Sequence, residues 1–258
     1  PVTRGGRVSR RAGHHPSRAA PPRRIALEDA ARVHLARGQA VPRGVHHPEL
    51  SGRERVLRAG ILTPQSLVGR RFAPDVFGDV KVALLGYCPP PSALERYAPQ
   101  RVEDQHFIHV SPDSVKLLTH GGRRFLSLAH VYGGPVSSAT VEELAYYGIE
   151  TILAYGLAGG LGTKGLAMGD FYIVQDAFAA DGTTRHYTDE TIVTSDKQLH
   201  EKALAFWPQT PGVKPIEPVR AATGDAIYRE NDAMLEGFRR QDCDIVNLDT
   251  AHLYAVAR

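Results

Sequence analysis

The rhythm of hydrophobic and polar positions changes near residue 79. VKVALLG (80–86) is a continuous apolar run closed by Gly86, the pattern of a parallel strand buried on both faces. FIHV (107–110), SVKLLTHGG (114–122) and RRFLSLAHVYGG (123–134) are further strand-like runs, and Gly121-Gly122 marks a hairpin between the last two. SATVEELAYYG (138–148) carries apolar residues at helical spacing and ends on Gly148. IETILAYGLAGGLG (149–162) predicts a second buried strand running into a glycine-rich loop. DFYIVQDAFAADG (170–182) alternates as a strand, and DKQLHEKALAFW (196–207) is an amphipathic helix. EPVRAATGDAIYRE (217–230) predicts a strand then a loop, and DIVNLDTAHLYAVAR (244–258) a strand turning directly into a helix. Strands alternating with helices predict layered α/β architecture: a three-layer α/β/α domain over 79–258 with a mixed central sheet.

Upstream the pattern is broken. Residues 25–38 place Ile25, Leu27, Ala31, Val33 and Leu35 near one side of a short helix. Ser51 and Glu54 stand at capping-box spacing, and prolines at 42, 48, 64 and 74 interrupt the rest. Residues 1–78 are therefore expected to be an irregular helical extension, rich in Arg and Pro.

Composition narrows the class. Apolar residues make 42% and charged residues 23% of the chain, which is globular rather than disordered. No stretch approaches the run of about 18 apolar residues that a transmembrane helix needs. Cys88 and Cys243 are too few for a disulfide framework or a four-Cys zinc site; two reduced thiols in a cytoplasmic protein are expected, with a single bridge between them as the alternative. Residues 1–60 hold 13 Arg and 4 acidic residues, a formal +9, so against the whole-chain +3 the remainder carries −6. The basic character belongs to the N-terminal quarter, and nucleic-acid binding does not follow from it. Residues 1–24, with seven Arg and no acid, fit a flexible or docked arm; a transit peptide or a phosphate-binding arm is the alternative. His14-His15 and His46-His47 lack nearby acids or thiols, so no metal site is expected. His106 and His109 would point to opposite faces of a strand and form no convergent pair.

Four segments together resemble the purine and uridine phosphorylase family, the nucleoside phosphorylase superfamily. YGGPVSSATVEELAYYGIETILAYGLAGGLG (132–162) is similar to the family's G-x-G-x-P-S loop, helix and G-T-x-G-G-L strand–loop. MGDFYIVQDAFAADGTTRHY (168–187) resembles V-G-D-x-V-I … D-G-T-S-x-x-Y. TGDAIYRE (223–230) resembles S-D-x-F-Y-R-E, and VNLDTAHLYAVA (246–257) resembles V-D-M-E-T-A-A-L-F-A-V-A. The resemblance implies cleavage of an N-glycosidic bond through an oxocarbenium-like transition state, with phosphate attacking the anomeric carbon. Such a site needs an anion cradle, a sugar clamp and a base pocket.

Carried onto this chain, the family's sugar-binding Met–Glu pair falls on Leu248 and Asp249, one methylene shorter. A helix N-cap is the alternative role for Asp249. The base pocket falls on Gly156, Ala158, Gly159 and Gly160, then Asp225, Ile227 and Tyr228, with Ile227 replacing an aromatic residue. The Gln-x-Arg pair of uridine phosphorylases is absent from RENDAM (229–234), which favours a purine-like base. The anion cradle departs most: GYCPPPSALER (86–96) keeps only Gly86 and a distant Arg96, while Ser137 stands near the start of the next helix. His130 replaces a Thr, and there it binds phosphate, activates water or is structural. With Asp225 it completes the catalytic candidates. Asp181, Arg185 and His186 lie in a variable loop on the site side, where His186 lines the pocket or stands in solvent. The family continues beyond the helix in which Arg258 lies, through a loop whose Asp protonates purine bases.

Three functions follow from the resemblance: phosphorolysis of a nucleoside or related N-glycoside, hydrolysis of the same bond by water, or nucleoside or nucleotide binding by a catalytically weakened homologue. The expected partners are a small-molecule nucleoside or nucleotide and further copies of the chain, a dimer to a hexamer. No cofactor beyond phosphate as co-substrate, no nucleic acid and no membrane are expected.

Overall fold

In a computed structural model of the chain, residues 60–207 and 216–258 are described. The helix over 25–38, the capping box at Ser51 and the paired histidines lie outside them. The chain divides into units Pro1–Glu49 and Leu50–Arg258, and everything that follows concerns the second.

Two five-stranded mixed sheets with flanking helices form the body. The first contains β1 (Val82–Gly86), β2 (Gln100–Arg101), β3 (Val115–His120), β4 (Arg123–Leu128) and β5 (Thr151–Tyr155), in the order β2-β3-β4-β1-β5. The second contains β6 (Gly159–Gly160), β7 (Tyr172–Ala179), β8 (Ile192–Thr194), β9 (Glu217–Thr223) and β10 (Ile245–Asn247), in the order β6-β10-β9-β7-β8. β1 lies parallel to both β4 and β5, and β9 parallel to both β7 and β10. The helices are α1 (Pro64–Leu67), α2 (Gly134–Tyr146), α3 (Lys197–Phe206), α4 (Asp232–Arg239) and α5 (Thr250–Val256). Among the described residues no helix is long and apolar enough to cross a membrane.

Local chemistry explains most boundaries. β3 and β4 pair antiparallel from Val115↔Leu128 to His120↔Arg123 across Gly121-Gly122, the expected hairpin. α2 begins at Gly134, four residues before the apolar periodicity, because Pro135 in the first turn lacks only an N–H that would have no helical partner. It ends in a Schellman arrangement: Gly148 at φ +76° donates to Ala145 and Ile149 donates to Leu144. Asp196 caps α3 by accepting from the Leu199 amide at 2.8 Å. α4 has no counterpart among the predicted elements, although Asn231 caps it and Phe238 is buried against the second sheet's core.

Two expectations fail for physical reasons. β5 is the edge of its sheet, so Leu153 is 49% exposed, and Leu157 beyond it is 77% exposed. FIHV (107–110) is not a strand. Its backbone partners are side chains instead: Tyr147 Oη donates to the His106 carbonyl at 2.7 Å, Glu143 accepts from the Ile108 amide, and Gln105 donates to the Val110 carbonyl at 2.9 Å. His106 is buried against Phe72 and Phe77, whereas His109 is exposed.

The largest core cluster joins Ala83 and Leu85 of β1 to Leu126 and Leu128 of β4, Val141 and Leu144 of α2 and Leu253 of α5. Val68 and Phe77, from the segment before β1, belong to it as well. α5 packs on α2, β7, β8 and β9, so its start is held rigidly above the strand ends.

Candidate functional site

The parallel strands end at one set of turns, the usual place for a ligand in an α/β sheet. β1 ends at Gly86, β5 at Tyr155 and β9 at Thr223, and β10 leads through Asn247 and Leu248 to Asp249. Backbone bonds knit these ends together within each sheet. Tyr87 donates to the Tyr155 carbonyl at 2.9 Å, Val131 to Gly86 at 3.0 Å, Gly224 to Asn247 at 2.9 Å and Ala180 to Thr223 at 3.0 Å.

Asp249 is the chemical centre of this cluster. It precedes α5, yet its side chain makes no capping bond, so the N-cap role is not what holds it. It is 9% exposed, and no described residue donates to its carboxylate. Burial alone pushes its pKa up to about 7. The carboxylate lies over a glycine backbone: a Cβ added at Gly156 would come within 3.2 Å of Asp249 Oδ2 and 3.3 Å of Tyr87 Cβ. A buried carboxylate with vacant acceptor sites is stabilised when ligand hydroxyls donate to it.

Tyr87 and Ser137 close one wall. Their hydroxyl oxygens are 2.6 Å apart and both residues are buried, so Ser137 is already engaged within the protein. Burial raises the Tyr87 pKa beyond the ordinary phenol range. Tyr155 lies against Gly86, where an added Cβ would collide with its hydroxyl. That hydroxyl is buried without a hydrogen-bond partner among the described residues. Burial, with Cys88 and Tyr132 nearby, pushes its pKa up to about 12.

The remaining candidates spread around the rim. His130 is exposed at the end of β4, in the left-handed region at φ +61°, and its Nδ1 is 3.1 Å from the Tyr132 hydroxyl. A non-glycine residue held there is uncommon and occurs at functional sites. Asp225 follows β9 and accepts from the Gly182 amide at 2.7 Å, which ties the 180–187 loop to the site. Ile227 and Tyr228 stand on a short 3-10 turn, 57% and 97% exposed. Gly159 and Gly160 pair with Val246 and Ile245 of β10, and Ala158 packs beside them in the core of the second sheet. Arg96 is kept at its own turn: Nε donates to the Ala93 carbonyl at 3.1 Å and the guanidinium lies over Tyr97. His186 is exposed. The structure therefore brings Gly86, Gly156, Ser137 and Asp249 together around Tyr87, holds Asp225 through the loop, and leaves Arg96, Ile227 and Tyr228 on the surface. Among the described residues no group of three or more His, Cys, Asp or Glu is arranged to hold a metal ion.

Tyr87 and His252 were not among the sequence candidates. Tyr87 directly follows Gly86, and His252 stands one helical turn after Asp249, so adjacency to a candidate was the available signal.

The family model of the phosphorylase superfamily matches residues 81–258. A protein of Acanthamoeba polyphaga mimivirus is 29% identical over 202 residues, covering 75% of this chain and 74% of that protein. Among solved structures, the fold is similar to 5′-methylthioadenosine/S-adenosyl homocysteine nucleosidase of Campylobacter jejuni, at 19% identity and a TM-score of 0.55 over 69% of this chain and 79% of that one. It is also similar to a mutant of futalosine hydrolase from Helicobacter pylori, at 14% identity and a TM-score of 0.54 over 69% and 82% of the two chains.

Proposed function

The chain belongs to the phosphorylase superfamily, and from that premise we propose that it cleaves the N-glycosidic bond of a nucleoside or related N-glycoside, with a purine-like base and with water as the nucleophile. The observation that carries the proposal is the buried Asp249 carboxylate, which no described residue donates to and which the Gly156 backbone approaches.

In this reading Asp249 accepts from the sugar hydroxyls, and those donors hold it ionised on ligand binding. Its negative charge then stabilises the developing oxocarbenium ion. Water adds its oxygen to the anomeric carbon as the carbon–nitrogen bond breaks. The electron pair of that bond leaves with the base, whose ring nitrogen takes a proton from solvent, and Asp225 accepts from the base so protonated. The proton lost by water goes to His130. Leu248 packs under the sugar, while Ala158, Gly159, Gly160, Ile227 and Tyr228 border the base.

Two features favour water over phosphate. Arg96 Nε bonds the Ala93 carbonyl of its own turn, and the buried Ser137 hydroxyl is paired with Tyr87, so these two phosphate candidates are turned to contacts within the protein. Both solved neighbours are also named for hydrolytic reactions. Phosphorolysis at Gly86, Arg96 and Ser137 is the second reading, favoured by Gly86, the glycine of the family's first loop that this chain keeps. Homo-oligomerisation and action on a free nucleoside or nucleotide in the cytoplasm, without a cofactor, complete the proposal.

The test is incubation of the full chain with purine and pyrimidine nucleosides and nucleotides, with and without phosphate, read by chromatography. Free base and free sugar in phosphate-free buffer are expected. Sugar 1-phosphate formed only with phosphate would establish the second reading. Saturable binding with no turnover would make the protein a binding homologue.

A further inference from the structure

His252 is enclosed on every side, 0% exposed, and neither ring nitrogen has a hydrogen-bond partner among the described residues. A polar side chain in that state is uncommon in a folded core and asks for a reason. Its neighbours come from three separate segments. Asp181 Oδ1, in the loop after β7, is 3.8 Å from Nδ1, an ion-pair distance when the ring is protonated. The Tyr87 ring, at the end of β1, meets the imidazole edge-on with centroids 6.5 Å apart. At the start of α2, a Cβ added to Gly134 would stand 3.4 Å from Nδ1 and would collide with Thr183.

Asp181 organises the loop it belongs to. Its Oδ1 accepts from the Thr183 amide at 2.9 Å and the Thr184 amide at 2.8 Å, and its Oδ2 accepts from the Thr184 hydroxyl at 2.6 Å. Burial works to raise the Asp181 pKa, but His252 and Thr184 outweigh it and hold the carboxyl below its ordinary range. The next residue, Gly182, donates to Asp225. A continuous path thus runs from α5, which carries Asp249, through His252 and Asp181 to Gly182 and Asp225.

We propose that His252 is a positioning residue that fastens the Asp181–Thr184 loop to the helix bearing Asp249 and so sets the place of Asp225. The catalytic meaning of that placement rests on the function proposed above; the link itself does not. A purely space-filling role would be met as well by leucine, which matches the imidazole in bulk and lacks the polar contact.

Native-state hydrogen exchange of the Gly182 amide in the 15N-labelled full chain tests this, with thermal melting measured alongside. In His252→Leu the melting midpoint is expected to hold or rise while Gly182 exchange accelerates at least tenfold. His252→Gln, which keeps a side-chain donor, is expected to stay within threefold of the parent. Asp181→Asn is expected to accelerate Gly182 exchange like His252→Leu, and the double variant to add nothing to either. A folded His252→Leu protein whose Gly182 exchange stays within twofold of the parent overturns the proposal, as does full additivity in the double variant. Should His252→Leu fail to fold, unchanged Gly182 exchange in Asp181→Asn overturns it instead. If the parent releases base from a nucleoside, kcat is expected to fall in His252→Leu with KM little changed. If it releases none, the function proposed above fails while the exchange data still decide the link.

Discussion

Around Asp249 the side chains are enclosed: Tyr87, Ser137, Asp181, Asp249 and His252 are each no more than 9% exposed. Around Asp225 it has enclosed little, and Ile227 and Tyr228 stand 57% and 97% exposed on a short turn. The enclosed half is organised before any ligand arrives, and its cost is an uncompensated carboxylate. The open half offers exposed apolar and aromatic surface that a flat base would cover. In the proposed reaction the first half supplies charge stabilisation and the second supplies affinity. Substitutions in the two halves should therefore differ in kind.

Asp249→Asn should have the largest effect. Removing the charge that faces the sugar is expected to lower base release by at least about a hundredfold. The same variant should fold at least as well as the parent, because an isolated buried charge has gone. Its pH behaviour sharpens the point. Asp249 is pushed up to about 7 in the folded protein, against an ordinary carboxyl value of about 4 in the unfolded chain. Between those values the native state binds the extra proton, so stability declines as pH rises from about 4 to about 7, by on the order of 1–4 kcal/mol. Glu143, also pushed up to about 7, chiefly by burial, contributes with the same sign. Urea unfolding at pH 5 and pH 8 should show the decline shrink in Asp249→Asn and shrink separately in Glu143→Gln. An unchanged decline in Asp249→Asn would remove the premise that its carboxylate lacks partners.

Gly134→Ala attacks the wall of the enclosed half. The added methyl would collide with the half-buried Thr183 and press towards His252, which is fully buried. A loss of about 1–3 kcal/mol in unfolding free energy is expected, although alanine is otherwise the better helix former. A gain in stability would show that the loop over α2 yields easily, and the enclosed half would then be less rigid than described.

Gly156→Ala tests the close approach beneath the carboxylate. Its methyl would sit 3.2 Å from Asp249 Oδ2, so a few tenths of an ångström must be found. The glycine is exposed, so little stability is at stake. Occupying the ligand's side of the carboxylate is expected to weaken binding about tenfold, read as a rise in KM or in a calorimetric Kd.

How much of this was legible beforehand depends on the range of the determinant. β1, the β3–β4 hairpin and α2 follow from local signals: an apolar run, two adjacent glycines, a helical period closed by Gly148. The exposure of β5 does not, because a strand's burial is decided by which neighbours its sheet provides. The segment 107–110 misled for a similar reason. Its pattern is strand-like, but its backbone groups are satisfied by Gln105, Glu143 and Tyr147 rather than by another strand. At the site, the strand-to-helix junction at Asp249 could be placed from the residues around it. Tyr87 and His252 gain significance only because the ends of β1, α2 and α5 and the loop after β7 meet in space.

Tyr228→Ala probes the open half and should have the smallest effect. At 97% exposure the ring makes almost no packing contribution, so unfolding free energy should move by less than about 0.5 kcal/mol. A stacked aromatic ring contributes about 0.5–1.5 kcal/mol where it meets another flat group. KM should therefore rise by a few fold, with kcat nearly constant, since the interaction is made equally in the ground and transition states. A purine nucleoside should feel the loss more than a pyrimidine one, because the larger base covers more of the ring. If kcat falls instead, Tyr228 takes part in leaving-group activation, and the division between a charge-stabilising half and an affinity-giving half is wrong at this residue.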